Sequence, residues 1–119
     1  MSDATSEPSE TPDRPVGLED SDELDAFVAA HDLALVEFYT EGCTLCQAIE
    51  PVLGNVARAT AAAVGTCNPR DDTGLVEAYD VRSVPTLLLF EDGDLVDRMA
   101  AGFLGAEEIV AFVENRGRE

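Results

Sequence analysis

Two cysteines, Cys43 and Cys46, are separated by two residues and lie between an apolar strand-like run and a helix-like run. On a helix, residues three positions apart are surface neighbours, with β-carbons roughly 5 to 6 Å apart. A disulfide tolerates Cα separations of about 4.4 to 6.8 Å, so this pair can bond with little backbone movement. The spacing predicts a disulfide that can form and break.

The helix start favours ionisation of the first thiol. The first turn of a helix presents unpaired backbone N–H groups and the positive end of the helix dipole, both of which stabilise a thiolate. We therefore expect the pKa of Cys43 to lie below about 8.5 and Cys43 to be the nucleophile. Cys46, one turn inside the helix, is the expected resolving thiol. The alternative interpretation is a pair of inert or metal-bound cysteines.

Length and composition indicate one compact domain with a tail. The chain has 119 residues, of which 45% are hydrophobic, enough for a single core. Its three cysteines cannot form a closed set of pairs, which argues against a secreted disulfide framework. The first residues lack both a basic and an apolar signal region, and no apolar run approaches the roughly 18 residues of a membrane span. We expect a soluble, cytoplasmic protein.

The charge balance is strongly negative. There are 25 acidic residues against 7 basic ones, and every basic residue is an arginine. This composition argues against nucleic acid or an anionic membrane as a partner. Self-repulsion of such a surface is screened at about 1 M salt, where the Debye length is roughly 3 Å. One hypothesis is adaptation to high internal salt, as in a halophilic archaeon; the alternative is an ordinary acidic protein with a solvated surface.

The order of the predicted elements is that of a mixed α/β domain. Residues 1–16 are polar and acidic, with several prolines, and are predicted to be a disordered tail; residues 17–116 are predicted to form the domain. The expected elements are a helix at 21–30, a buried strand at 33–39, a helix from the cysteines to about 61, a strand at 62–67, a short helix at 74–79, a hairpin around 92–93 and a helix at 106–115. Glu37 is the one charged residue in the buried strand.

Several spaced motifs resemble the thioredoxin family, over about Leu18 to Asn115. They are the run 36–39 before the cysteines, Pro51 five residues after Cys46, the run 83–86, and the hairpin at 92–93. The resemblance implies a thioredoxin-like α/β fold, with a central mixed sheet of four to five strands flanked by helices on both faces. It also implies that Pro85 follows a cis peptide bond and faces the two cysteines.

The resemblance further implies a thiol-disulfide oxidoreductase, here a protein-disulfide reductase. In the family mechanism Cys43 attacks a protein disulfide, and Cys46 then resolves the mixed disulfide. Glu37 takes the position of a buried carboxylate that accepts the proton of Cys46. The backbone at Val84 is the edge that pairs with an extended substrate segment. The residues expected to contact substrate are Gly42, Val84, Pro85 and Gly102.

The chain departs from the family pattern around the cysteines. Gly42 stands where a tryptophan is common, and Thr44-Leu45 replaces Gly-Pro. The usual buried acid is an aspartate, often accompanied by a lysine whose matching position here is Thr66. These departures leave the redox potential and the direction of electron flow open. They keep a second function under consideration, a thioredoxin-fold binding or chaperone-like module with little turnover. Glu37 has its own alternative as a structural buried acid.

The other candidate residues have structural interpretations. Cys67 is predicted to be a small buried hydrophobe, with a regulatory disulfide as its alternative. His31 is predicted to cap a helix C-terminus. The cysteines and His31 lack the paired spacing of a zinc site, so no metal and no cofactor is predicted. The expected partners are proteins with disulfides and a thioredoxin-reductase-like electron donor, and the protein is expected to be a monomer.

Overall fold

In the computed structural model, which describes residues 11–100 and 105–114, a five-stranded mixed sheet lies between helices. In chain order the elements are β1 (Val16–Leu18), α1 (Ser21–Ala30), β2 (Leu33–Phe38), α2 (Thr44–Ala59), β3 (Ala63–Cys67), a 3-10 turn (Pro69–Asp71), α3 (Gly74–Tyr79), β4 (Thr86–Glu91), β5 (Asp94–Ala100) and α4 (Ala106–Glu114). The strand order is β1-β3-β2-β4-β5. Strands β1, β2 and β3 run parallel, whereas β4 and β5 form an antiparallel hairpin.

The central strand β2 separates two apolar cores, because its side chains alternate between the two faces of the sheet. All six of its residues are buried. Its even-numbered residues, such as Val36, pack in the core that contains α1 side chains and Leu75 of α3. Its odd-numbered residues Leu33 and Leu35 pack in the core that contains α2 and α4 side chains. The helices therefore cover both faces, as the resemblance implies, and Glu37 falls on the α2 side.

Local sequence signals account for the ends of several elements. Asp20 precedes α1, and its carboxylate accepts a 2.9 Å hydrogen bond from the N–H of Glu23, as expected of an N-cap. Asp92 and Gly93 have φ values of 54° and 88°. Two residues with positive φ form the two-residue turn that connects twisted antiparallel strands. The predicted helix at 21–30 and the predicted hairpin are both confirmed.

The edge strand β1 is the element that the sequence analysis does not predict. Three residues are too few for a period of two to be detected, and only Leu18 among them is buried. The strand exists because it pairs in parallel with the end of β3. Gly65 of β3 makes room for it, since a Cβ there would lie 2.8 Å from Leu18 Cδ1 and 3.1 Å from Phe27 Cε2.

The described helices include none that is both long and apolar enough to cross a membrane.

Candidate active site

The two cysteines lie where β2 passes into α2, at one end of the sheet. Gly42 turns the chain with a φ of +81°, a conformation that glycine adopts without steric cost. Cys43 follows as the N-cap residue of α2, and Cys46 lies in the first turn. The predicted position of the pair at a helix start is confirmed.

Cys43 and Cys46 are joined by a disulfide, with a Cα–Cα distance of 5.2 Å. The backbone N–H of Cys46 donates a 3.1 Å hydrogen bond to Cys43 Sγ. A sulfur in the N-cap position thus receives one of the unpaired N–H groups of the helix. Cys43 is half-buried, whereas Cys46 is 2% exposed. The pair is asymmetric, with one accessible sulfur and one buried sulfur.

The peptide bond between Val84 and Pro85 is cis, as the resemblance implies. The Val84 carbonyl oxygen lies 4.0 Å from Cys43 Sγ, and Pro85 is buried. Thr86 holds the loop by donating a 2.5 Å hydrogen bond from Oγ1 to the Ser83 carbonyl. Thr86 also pairs with Phe38 at the end of β2, which places the loop beside the start of α2.

Glu37 lies in the middle of the sheet, on the face covered by α2. It pairs with Thr66 of β3 on one side and with Leu87 of β4 on the other, and its side chain is 1% exposed. Within the described residues its Oε2 atom has no hydrogen-bond partner. Burial, and secondarily the charge of Glu50, raises the pKa of Glu37 to about 8. The neutral acid is therefore the main form at pH 7.

A cleft of about 320 Å³ runs from Glu37 towards solvent. Its walls are formed by Pro15, Glu37, Tyr39, Glu50, Leu53 and Thr66. Glu50 is an exposed residue of α2, one helical turn after Cys46. The sequence analysis does not single out Glu50, although its i,i+4 spacing from Cys46 places both residues on one side of the helix. The pairing of Glu37 with Thr66, which brings Thr66 into the same cleft, depends on the register between β2 and β3.

The thioredoxin family model matches residues 16–115. The chain belongs to the thioredoxin family. A thioredoxin of Chlamydia pneumoniae is 38% identical over 80 residues, which are 66% of this chain and 78% of that protein. A thioredoxin of Pseudomonas aeruginosa is 35% identical over 82 residues, 67% of this chain and 75% of that protein. A solved single-substitution variant of thioredoxin from Halobacterium salinarum NRC-1 superposes with a TM-score of 0.85 at 34% identity, covering 91% of this chain and 95% of the other.

Membership of the thioredoxin family and the bonded CxxC pair together give the activity. This protein is a thiol-disulfide oxidoreductase, and its reaction is the exchange of a dithiol for a disulfide.

A shallow apolar groove of about 250 Å³ lies beside the redox pair of this chain. It is formed by residues of three separate chain segments, one of which includes the 3-10 turn and α3; the residues are Thr40, Pro69, Arg70, Thr73, Val76, Val81, Arg82, Ser83 and Val84. Val76 is 36% exposed, and Leu45, between the two cysteines, is 39% exposed. Of these residues the sequence analysis predicts only Val84 as a substrate contact. The other residues belong to segments that are separate in the sequence and share no pattern, so they come together only in the folded chain.

The remaining predicted residues lie away from the redox pair. Cys67 is a free, fully buried cysteine in the core on the α1 face, as predicted, and burial raises the pKa of its thiol to about 11. His31 is the C-cap residue of α1, also as predicted, and its ring centre is 5.0 Å from that of Phe27. The residues that the structure describes include no group of three or more potential metal ligands. Gly102 lies outside the described residues.

Replacing Glu37 with Gln should change how stability depends on pH. The folded pKa of about 8 lies above the ordinary value of 4.5, so the folded state keeps a proton that the unfolded chain releases. The resulting stabilisation is complete below pH about 4.5 and is lost as the pH rises through about 8. Urea unfolding at constant ionic strength should show a decline of about 1 kcal/mol per pH unit in this window, and Glu37→Gln should remove it.

Glu77→Gln is the matched control, because it removes an exposed acid of α3 and should leave the decline intact. Equal slopes for Glu37→Gln and the parent protein would contradict the raised pKa.

Proposed function

We propose that Cys43 is the nucleophile and Cys46 the resolving thiol in the reduction of protein disulfides. The Cys43 thiolate attacks one sulfur of a substrate disulfide, a mixed disulfide forms, and the first substrate thiolate leaves. Cys46 then loses its proton and attacks Cys43 Sγ, and the second substrate thiolate leaves. The substrate gains two electrons, and the protein ends with the Cys43–Cys46 disulfide.

The contact between the Cys46 N–H and Cys43 Sγ is the observation that carries this assignment. At 3.1 Å it supplies a hydrogen bond to the sulfur that must be ionised before attack. The half-buried sulfur of Cys43 can be reached by a substrate, whereas the buried sulfur of Cys46 is reached from Cys43. Accessibility and hydrogen bonding favour the same order of attack.

Glu37 is proposed as the acceptor of the Cys46 proton. It lies on the α2 face of the sheet, and its pKa of about 8 is close to that of an ordinary thiol, as proton transfer between the two requires. The alternative is a structural buried acid bonded to backbone or water. Within the described residues no protein group forms a hydrogen bond with Oε2, which supports the role in proton transfer over an acid held by the backbone.

Substrate binding is proposed at the backbone of Val84 and along the adjoining groove. The Val84 carbonyl is half-buried and close to Cys43 Sγ, so an extended segment paired there would bring its disulfide to the nucleophile. Gly42 keeps the other side open, since no heavy atom lies within 4 Å of where its Cβ would be. Pro85, which is buried, follows Val84 in the same loop.

The proposed setting is the cytoplasm, where a thioredoxin-reductase-like donor would return the pair to the dithiol. We propose a monomer that acts through residues 17–116, with residues 1–16 as a tail whose last residue, Val16, begins β1. Thioredoxins are the relatives that this chain matches over most of their length, which supports a reductase partner. A binding module with little turnover is the second candidate, and the exposed apolar side chains of Leu45 and Val76 are the observation in its favour.

Cysteine variants test the assignment in a disulfide-reduction assay with dithiothreitol in high salt. Cys43→Ser removes the nucleophile and should lower turnover at least about a thousandfold. Cys46→Ser should stop after the first attack and accumulate a mixed disulfide that mass spectrometry detects. Cys67→Ser is the control, because that thiol is fully buried, and it should keep full activity. Equal and negligible turnover in the parent protein and Cys43→Ser would instead support the binding module.

Adaptation to high salt is proposed from the charge, 25 acidic residues against 7 arginines, and is supported by the similarity to thioredoxin from Halobacterium salinarum. Because salt screens the repulsion between surface carboxylates, the free energy of unfolding in urea should rise by a few kcal/mol between dilute buffer and about 1 M KCl. Full stability in dilute buffer would count against this proposal.

A further inference from the structure

Among the residues that the structure describes, the lining of the cleft beside Glu37 includes two carboxylates and no positive side chain. Glu37 forms its buried end and Glu50 its exposed side, and the other lining residues are Pro15, Tyr39, Leu53 and Thr66. Glu37 belongs to β2 and Glu50 to α2, and the redox pair lies where β2 passes into α2. When both groups are ionised, their negative charges repel each other unless a positive group lies between them.

The buried carboxyl oxygen is the second observation. Glu37 is 1% exposed, and its Oε2 has no hydrogen-bond partner among the described residues. Leaving a buried polar atom without a partner costs about 1 to 3 kcal/mol, and more when the group is charged. Glu37 lines a cleft that is open to solvent, so a positive ion can approach its carboxyl group from that side. Thr66, paired with Glu37 across the sheet, adds a hydroxyl oxygen to the same wall.

We propose that this cleft binds a monovalent cation, with Glu37, Glu50 and Thr66 as its protein ligands. Carboxylate and hydroxyl oxygens are the ligands that hard cations take in proteins. Two carboxylates, one of them exposed, make a weak site that fills at high salt. The described residues include no group of three His, Cys, Asp or Glu side chains, the set that would hold a metal ion tightly. A cleft of about 320 Å³ has room for the ion and several waters, each of about 30 Å³.

The ion and the proton compete for the same carboxyl group. When the cation enters, the Glu37 carboxyl releases its proton to solvent, so the total charge in the cleft does not change. Burial and Glu50 together favour the protonated form, and a cation between the two carboxylates removes the second of these causes. This inference rests on the proposed function, in which Glu37 must be ionised to accept a proton from Cys46. The bound cation would therefore keep Glu37 ionised at pH 7, and it would return to solvent as the carboxylate takes the proton of Cys46.

Carboxyl ¹³C NMR of the disulfide form tests the site directly. At a pH of about 9.5 Glu37 is ionised in every salt, so its resonance does not report a change of protonation. KCl would replace choline chloride, whose cation is too bulky for two close carboxylates, at a constant total salt of about 1 M, which holds the screening fixed. We expect a saturable shift of the Glu37 resonance. Glu50→Gln should raise the K⁺ midpoint several-fold, whereas Glu77→Gln should leave it unchanged.

Three NMR outcomes would overturn the site. The first is a Glu37 resonance at the same position in KCl and choline chloride. The second is an equal effect of Glu50→Gln and Glu77→Gln, which would indicate a non-specific surface atmosphere of ions. The third is saturation by millimolar MgCl₂ with no response to K⁺, which would make the site one for divalent ions.

A rate measurement tests the consequence for the resolving step. At pH 7 and constant ionic strength, release of substrate from the mixed disulfide should be several-fold faster in KCl than in choline chloride, and Glu50→Gln should abolish the difference. Equal rates in both salts would overturn the link between the cation and resolution. No mixed disulfide in either salt would instead refute the proposed function, while the NMR titration would still decide whether the cation binds.

Discussion

The hydrogen bond from the Cys46 N–H to Cys43 Sγ fixes the chemistry of this protein, because it places a sulfur atom where a helix offers unpaired donors. In the proposed reaction, the position of α2 makes Cys43 the sulfur that is ionised and Cys46 the resolving thiol. The turn at Gly42 and the carbonyl group of Val84 lie next to the half-buried sulfur of Cys43. The rest of the fold holds these few atoms in place.

The core beneath the site contains a carboxyl group. The alternation of side chains in β2 that buries Leu33 and Leu35 under α2 also buries Glu37 on that face. This chain has no lysine, and the residue beside Glu37 across the sheet is Thr66. Burial raises the pKa of Glu37 to about 8. The carboxyl group therefore gains and loses its proton in the pH range in which thiols ionise.

Much of the fold could be predicted from the sequence, since the helix at 21–30 follows from a cap and apolar spacing, and β2 from an apolar run. The strand β1 could not, because three edge residues carry no detectable period. The cysteine pair could be predicted from its spacing, and the cis bond before Pro85 from the resemblance to the thioredoxin family. The position of Glu50 in the cleft and the apolar groove could not be predicted. They depend on how α2, β3 and three other chain segments are arranged in the folded protein.

The most direct measurement of the central claim is the alkylation rate of each thiol in the reduced protein as a function of pH, followed by peptide mass mapping. We predict that Cys43 reacts first and that the midpoint of its rate profile lies below about 8.5, the value of an ordinary free thiol. Cys46 and Cys67 should react slowly because both are buried. A midpoint for Cys43 at or above that value, with no rate advantage over Cys46, would contradict thiolate stabilisation at the start of α2.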